Sequence, residues 1–350
     1  MNNTSFFSDR SYRIALRWSI AIIYLIIIAG AVVRMTGSGM GCPDWPKCFG
    51  YYVPPTEQSE LEFSPDTPYK KGMVIIHDKE LRVAKADFHT TQNYKEENWK
   101  PYTKHDYAVF NVYHTWTEYI NRLIGALGGL VVLIMCVFSL KYWKARKSIT
   151  ILSIVALLAM LIQAVIGKIV VDTHLSPALI TIHMIFALLI VGLLIYLLHE
   201  VQPTDSRYQA PRKLYNIAVA IIALTLIQVA LGTQVRQFLD HQIDELGYPF
   251  LSIWLEENAP LVFLVHRSFS ILLFALHAWF VHRAVHILGH PKRYYNWLMI
   301  LLIITIFTGV LMNYVDFPFG SQAAHLVLAS IILGVQFYLM MRLRKVAIRN

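Results

Sequence analysis

Residues 261–280 read Leu-Val-Phe-Leu-Val-His266-Arg267-Ser-Phe-Ser-Ile-Leu-Leu-Phe-Ala-Leu-His277-Ala-Trp-Phe280. About 20 predominantly apolar residues are enough to cross the hydrocarbon core of a bilayer as a helix. An ionisable side chain inside such a run is expensive and marks a functional site by default. His266-Arg267 interrupts this run a few turns in, and the same kind of interruption recurs along the chain.

Apolar runs of this length fall near 14–33, 112–140, 149–171, 178–198, 214–235, 260–282, 296–314 and 322–341. Of the 350 residues, 56% are hydrophobic and 15% charged, and the mean hydropathy is +0.48. That composition predicts an all-α integral membrane protein of eight transmembrane helices. The net charge of +9 comes from short clusters between the runs: Arg10 and Arg13; Lys141, Lys144, Arg146 and Lys147; Arg207, Arg212 and Lys213; Arg283, Lys292 and Arg293; Arg342, Arg344, Lys345 and Arg349. The opposite short loops, 171–177 and 314–321, carry no Lys or Arg. The positive-inside rule then places both termini in the cytoplasm of a multi-pass protein of the cell (inner) membrane. Scattered basic clusters are a poor footprint for nucleic acid, which is excluded as a partner; membrane lipid is the surrounding medium. The first run is long enough to span and is not followed by a small-residue cleavage site, so no cleavable signal peptide is expected.

The halves repeat. Gly30-Ala-Val-Val-Arg34 resembles Gly232-Thr-Gln-Val-Arg236, and Gln163-Ala-Val-Ile-Gly167 resembles Ile306-Phe-Thr-Gly309. Asn121-Arg122 matches His266-Arg267, and His183 matches His325. Two pseudo-symmetric four-helix bundles in parallel repeat follow, an N-terminal one over 1–205 and a C-terminal one over 206–350. A long external segment, about 34–110, interrupts the first. Residues 51–105 read equally as a small cap over the outer face or as a partly ordered loop.

His183 lies six residues after Pro177, His266 six after Pro260 and His325 seven after Pro318. At about 1.5 Å per residue the three imidazoles share a depth roughly 9–11 Å below the outer helix ends. Facing histidines inside a helical bundle are what a haem iron needs. His266 and His325 supply two axial ligands in the second half. In the first half His183 stands opposite Asn121, a poor iron ligand, which leaves that iron five-coordinate or held by a substitute. His114, Glu118 and Asn121 line one face of the second helix, so His114 is a candidate substitute or an interfacial histidine bonded to Glu118. Glu118 has Phe263 as its repeat mate and is not needed for folding the bundle. It reads as a proton relay or electrostatic stabiliser beside a reactive haem, or as an ion-pair partner of Arg122. Arg34, Arg122, Arg236 and Arg267 suit haem propionates, and Arg34 and Arg236 equally read as markers of outer helix ends.

A second haem layer needs a second histidine pair. His277 lies eleven residues beyond His266, but the equivalent depth of the last helix holds Gln336. His199, His282, His286 and His290 read as solvated at the cytoplasmic edge, and His77, His89, His105 and His241 as external-loop residues. Cys42 and Cys48 stand in a Gly- and Pro-rich external turn where a disulfide is favoured. Cys136, mid-span, reads as packing.

Arg34-Met-Thr-Gly-Ser-Gly-Met-Gly-Cys-Pro-Asp-Trp-Pro-Lys-Cys48 and Glu118-Tyr-Ile-Asn-Arg122 resemble the first external loop and the Glu-x-x-His-Arg motif of the haem A synthase family. The resemblance covers the chain except about 51–105. It implies oxygen-dependent oxidation of the C8 methyl of haem O to the formyl of haem A. It further implies haem b on His266 and His325, a substrate haem facing His183, Glu118 as catalytic carboxylate, and the enzyme that supplies haem O as a partner. Asn121 stands where the family has its first-half histidine. The electron donor and any homo-oligomer are left open. The alternatives are a membrane dihaem electron carrier, a quinol-linked b-type cytochrome, and a haem-handling assembly protein without catalysis.

Overall fold

The structure is a computed structural model that describes residues 8–103, 110–202, 210–246, 259–288, 292–315 and 317–347. The expected boundary at 205/206, with Arg207, His105, His290 and Arg349, lies outside the described residues. Among the described residues eight helices are long and apolar enough to cross a membrane. They are α1 (Asp9–Met35), α2 (Val112–Ser139), α3 (Lys147–Asp172), α4 (Pro177–Val201), α5 (Arg212–Leu246), α6 (Leu261–Leu288), α7 (Lys292–Tyr314) and α8 (Ser321–Ala347). The protein is an all-α, multi-pass membrane protein.

Local chemistry sets the helix starts. The Ser8 hydroxyl accepts the Ser11 N–H at 3.0 Å, and the Asn111 side chain accepts from Tyr113 and His114 at 3.0 and 3.2 Å, satisfying amide groups that a first turn leaves unpaired. Pro177 opens α4, where its missing N–H is not needed.

In the first half α1 packs on α2 and α4, and α3 packs on α2 and α4, so α2 and α4 face each other across a diagonal. In the second half α5 packs on α6 and α8, and α7 packs on α6 and α8, which puts α6 and α8 across the diagonal. α8 also packs on α1 and α4, and α4 on α5, joining the two groups. The main apolar cores lie toward the helix ends on the side of the chain termini: Tyr12, Leu16, Met135, Ile149 and Leu194 in one, Leu214, Phe280, Leu298 and Leu339 in the other. Along α4 full burial begins only at Leu188, and along α6 at Leu273, both deeper than the candidate histidines. The outer ends of these two helices are therefore less tightly covered than their inner ends, whereas Glu118 on α2 and Val235 on α5 are buried at the outer level.

Residues 51–103 form a small β structure. β1 (Pro68–Tyr69) pairs antiparallel with β4 (Phe88–His89), while β2 (Val74–His77), β3 (Glu80–Ala84) and β5 (Trp99–Pro101) form a three-stranded antiparallel sheet. Ile75 and Trp99 are buried within it, so this segment has a core of its own. Of the two sequence readings, the folded cap holds.

Two placements differ from expectation. α5 runs to Leu246, so His241 sits on a helix and not in a loop. His199 is 7% exposed, not solvated, because α4 continues past it to Val201.

Candidate functional site

His266 on α6 and His325 on α8 face each other, with ring centres 6.4 Å apart and planes inclined by 61°. Each candidate imidazole leans on a glycine of the preceding helix. A Cβ at Gly232 would lie 3.1 Å from His266 Cε1, one at Gly309 3.4 Å from His325 Cε1, and one at Gly167 3.3 Å from His183 Cε1. The fourth glycine of the sequence repeat, Gly30 on α1, is matched with Asn121, and no described atom lies within 4 Å of its Cβ position.

The histidine helices are held by amide side chains. Gln163 Nε2 donates to the His183 carbonyl at 2.8 Å, and Gln228 Nε2 donates to the His266 carbonyl at 2.9 Å. His325 is held by its ring: Nδ1 lies 2.9 Å from Thr308 Oγ1, and that hydroxyl donates its one proton to the Thr305 carbonyl at 2.7 Å. The hydroxyl therefore accepts from Nδ1–H, which assigns the bare lone pair to Nε2. His183 Nδ1 and His266 Nδ1 are buried without a hydrogen-bond partner among the described residues.

Glu118 is 3% exposed on α2. Its Oε2 accepts the Cys42 N–H at 2.8 Å and its Oε1 accepts Arg122 Nη2 at 2.5 Å. Arg122 Nη1 donates to the carbonyls of Asp44 and Lys47 at 2.9 and 3.0 Å. Thr115 Oγ1 donates to the Gly41 carbonyl at 2.8 Å. The expected Cys42–Cys48 disulfide is formed, and these contacts fasten its loop to the outer turns of α2. The approach is close: a Cβ at Gly41 would sit 2.4 Å from the His114 carbonyl oxygen, so only glycine fits there. Asp44 accepts the Gly50 N–H at 2.9 Å, and burial pushes its carboxyl above the ordinary carboxylate range against the pull of these bonds and of Arg122.

The ion-pair reading of Glu118 is thus seen directly, and its bonds go to Cys42 and Arg122. The His114 ring is half-buried at the start of α2. Arg34 and Arg236, matched in the sequence repeat, share one carboxylate: Asp240 accepts Arg34 Nη2 at 3.1 Å and Arg236 Nη2 at 2.6 Å. The Arg236 Nη1 atom is buried without a partner among the described residues. Arg267 is exposed and stands 5.9 Å from the centre of the Phe263 ring.

Sequence reasoning missed Asp240, although its position four residues after Arg236 is the ordinary spacing of a helical ion pair. It also missed that the depth of the absent second histidine layer is a hydrogen-bonded cluster. His277 Nδ1 donates to the Leu273 carbonyl at 2.6 Å, Gln336 Nε2 lies 2.6 Å from His277 Nε2, and it reaches Thr225 Oγ1 at 3.1 Å. The cluster ties α5, α6 and α8 together.

The family model described as COX15-CtaA, cytochrome oxidase assembly protein, matches residues 13–87 and 68–337. Among curated relatives, a protein of Wolbachia pipientis wMel named heme A synthase is 24% identical over 93% of this chain and 90% of its own length. Heme A synthases of Bacillus cereus (strain AH187) and Bartonella tribocorum are 22% and 25% identical, over 91% and 90% of this chain and 89% and 88% of their own lengths. The matched residues take in α1, the cysteine loop and every described histidine-bearing helix, and the chain belongs to the COX15-CtaA family of cytochrome oxidase assembly proteins.

Proposed function

We propose that this protein is a haem A synthase, an oxidoreductase that converts the C8 methyl of haem O to the formyl of haem A, with a resident haem b in its second half. The separation of His266 and His325 carries this reading. Metal–imidazole bonds of about 2.0 Å put the centres of two imidazoles on opposite sides of one metal about 6.2 Å apart. The observed rings stand at 6.4 Å. Three further observations support the fit. The tautomer fixed by Thr308 leaves a neutral lone pair on His325 Nε2. The His183 and His266 rings each keep a buried Nδ1 without a hydrogen-bond partner among the described residues. Along α4 and α6 full burial begins only below the histidines, which leaves breadth beside those two helices for a flat macrocycle.

In this reading residues 1–205 form the substrate-haem half and residues 206–350 the haem b half. A haem b on His266 and His325 supplies one-electron transfer. His183 holds the substrate haem from α4. Glu118 is the carboxylate of that half; its oxygens hold the Cys42 N–H and Arg122, and each keeps a further lone pair that can take a proton. Arg34 and Arg236 stand at the outer rim, where carboxylate-bearing ligands compete with Asp240 for their guanidinium groups. Arg122 and Arg267 complete the set of candidate propionate partners, and His114 remains a candidate ligand on the α2 face. The termini face the cytoplasm of the cell membrane, and the enzyme that supplies haem O is the expected partner.

A quinol-type cytochrome with two stacked haems per bundle is disfavoured, because the deeper layer is filled by the bonded His277–Gln336–Thr225 cluster. Co-expression with a haem O source, followed by pigment extraction, tests the proposal. Hydroxymethyl or formyl haem is the expected product, and recovery of unmodified haem alone overturns it.

A further inference from the structure

Three of the four glycines at the histidine level are covered by an imidazole edge, and the fourth is not. His183, His266 and His325 lie within 3.4 Å of the Cβ positions of Gly167, Gly232 and Gly309, whereas nothing described lies within 4 Å of that position at Gly30. The α1–α2 register makes the comparison meaningful. A Cβ at Gly128 on α2 would meet Ile26 Cδ1 on α1, which sets Gly30 within about a turn of Asn121. The shorter asparagine does not reach the place that an imidazole takes on the other helix pairs. Asn121 is half-buried, one turn inward of the buried Glu118.

We propose that the space beside Gly30 and Asn121 is a binding site for one small neutral ligand, a diatomic gas or a free imidazole, that would reach the substrate haem from α2. The inference rests on the haem reading given above. Its logic is steric and electronic together. An amide is a weak iron donor that leaves the position to an incoming molecule, and its N–H group can hydrogen-bond that molecule. Glycine at position 30 leaves the room, and this chain alone decides which ligands fit.

The test uses the purified full-length protein with its native haems, titrated with imidazole in the ferric state and carbon monoxide in the ferrous state, and followed by absorption. Wild type is expected to show one haem that responds to both probes and one, held by His266 and His325, that responds to neither. H183A should lose the responsive haem. N121H should keep it but abolish the response, because a histidine at 121 closes the site from within. G30L should weaken imidazole binding at least tenfold by filling the space, while the unresponsive low-spin spectrum reports that each variant is folded. If no haem depends on His183, the proposed function fails. If such a haem is present but ignores both probes, or if N121H and G30L respond as wild type does, the ligand site is overturned and the proposed function stands.

Discussion

The backbone N–H of Cys42 donates to the buried Glu118 carboxylate at 2.8 Å, so one end of the disulfide hangs directly from the most distinctive acid of the chain. The other carboxylate oxygen takes Arg122, which in turn holds the Asp44 and Lys47 carbonyls. Glu118 thus fastens the loop whatever chemistry it serves.

Glu118→Ala should free the loop as well as stop turnover. Removing one partner of a buried ion pair typically costs about 3–5 kcal/mol. Glu118→Gln keeps an acceptor for the Cys42 N–H and should cost clearly less. Thermal unfolding in detergent and tryptic cleavage after Lys47 measure the two variants, and equal cleavage in both would refute the anchoring role.

Loop docking should depend on pH through Asp44. Burial raises its carboxyl above the ordinary value of 3.8 in the folded protein, so the folded state binds the proton more readily than the unfolded one. Stability therefore increases as pH falls through the raised value, and the gain levels off below 3.8. Tryptic nicking after Lys47 is too pH-dependent to report this, so hydrogen exchange of the Gly50 amide, corrected for its intrinsic rate, is the measurement. Greater protection below the raised value than above it is expected in wild type, and Asp44→Asn should abolish the difference.

His266→Ala and His325→Ala should each eliminate the low-spin haem spectrum. Thr308→Val tests the tautomer lock more finely. It leaves His325 Nδ1 without its acceptor and should lower haem affinity by roughly 10–100-fold, the usual range for losing a partner behind a metal ligand. Unchanged haem retention on dilution would show that the hydroxyl is not oriented as described.

His277→Ala should separate stability from haem binding. It leaves one N–H of the buried Gln336 without its acceptor while Thr225 keeps the other, an effect of about 1–3 kcal/mol. A lowered unfolding temperature with the haem spectrum intact is expected; loss of the spectrum would place His277 in the haem site.

What was readable in advance followed physical cause. Hydropathy gave all eight helices, because burying backbone polar groups in lipid leaves the chain few options. The starts of α4 and α6 were readable because Pro177 and Pro260 mark them, whereas α8 begins at Ser321, three residues after the Pro318 from which the depth of His325 was counted. Asp240 was not readable, since the span was expected to stop near Val235 and α5 continues to Leu246. The bonds of Glu118 to Cys42 and of Gln336 to His277 join segments far apart in sequence, and only the packed chain reveals them. The cap over 51–103 was undecided because its strands are two to five residues long, too short for a periodic signal.

The glycine seats have a consequence for how this protein tolerates change. Each imidazole takes its aim from the helix beside it, so a methyl group added on that neighbour can misdirect a ring without touching the histidine itself. The tightest seat, Gly232, should be the most sensitive and Gly309 the least, and sliding a helix pair by one turn would spoil the aim as surely as deleting the ring.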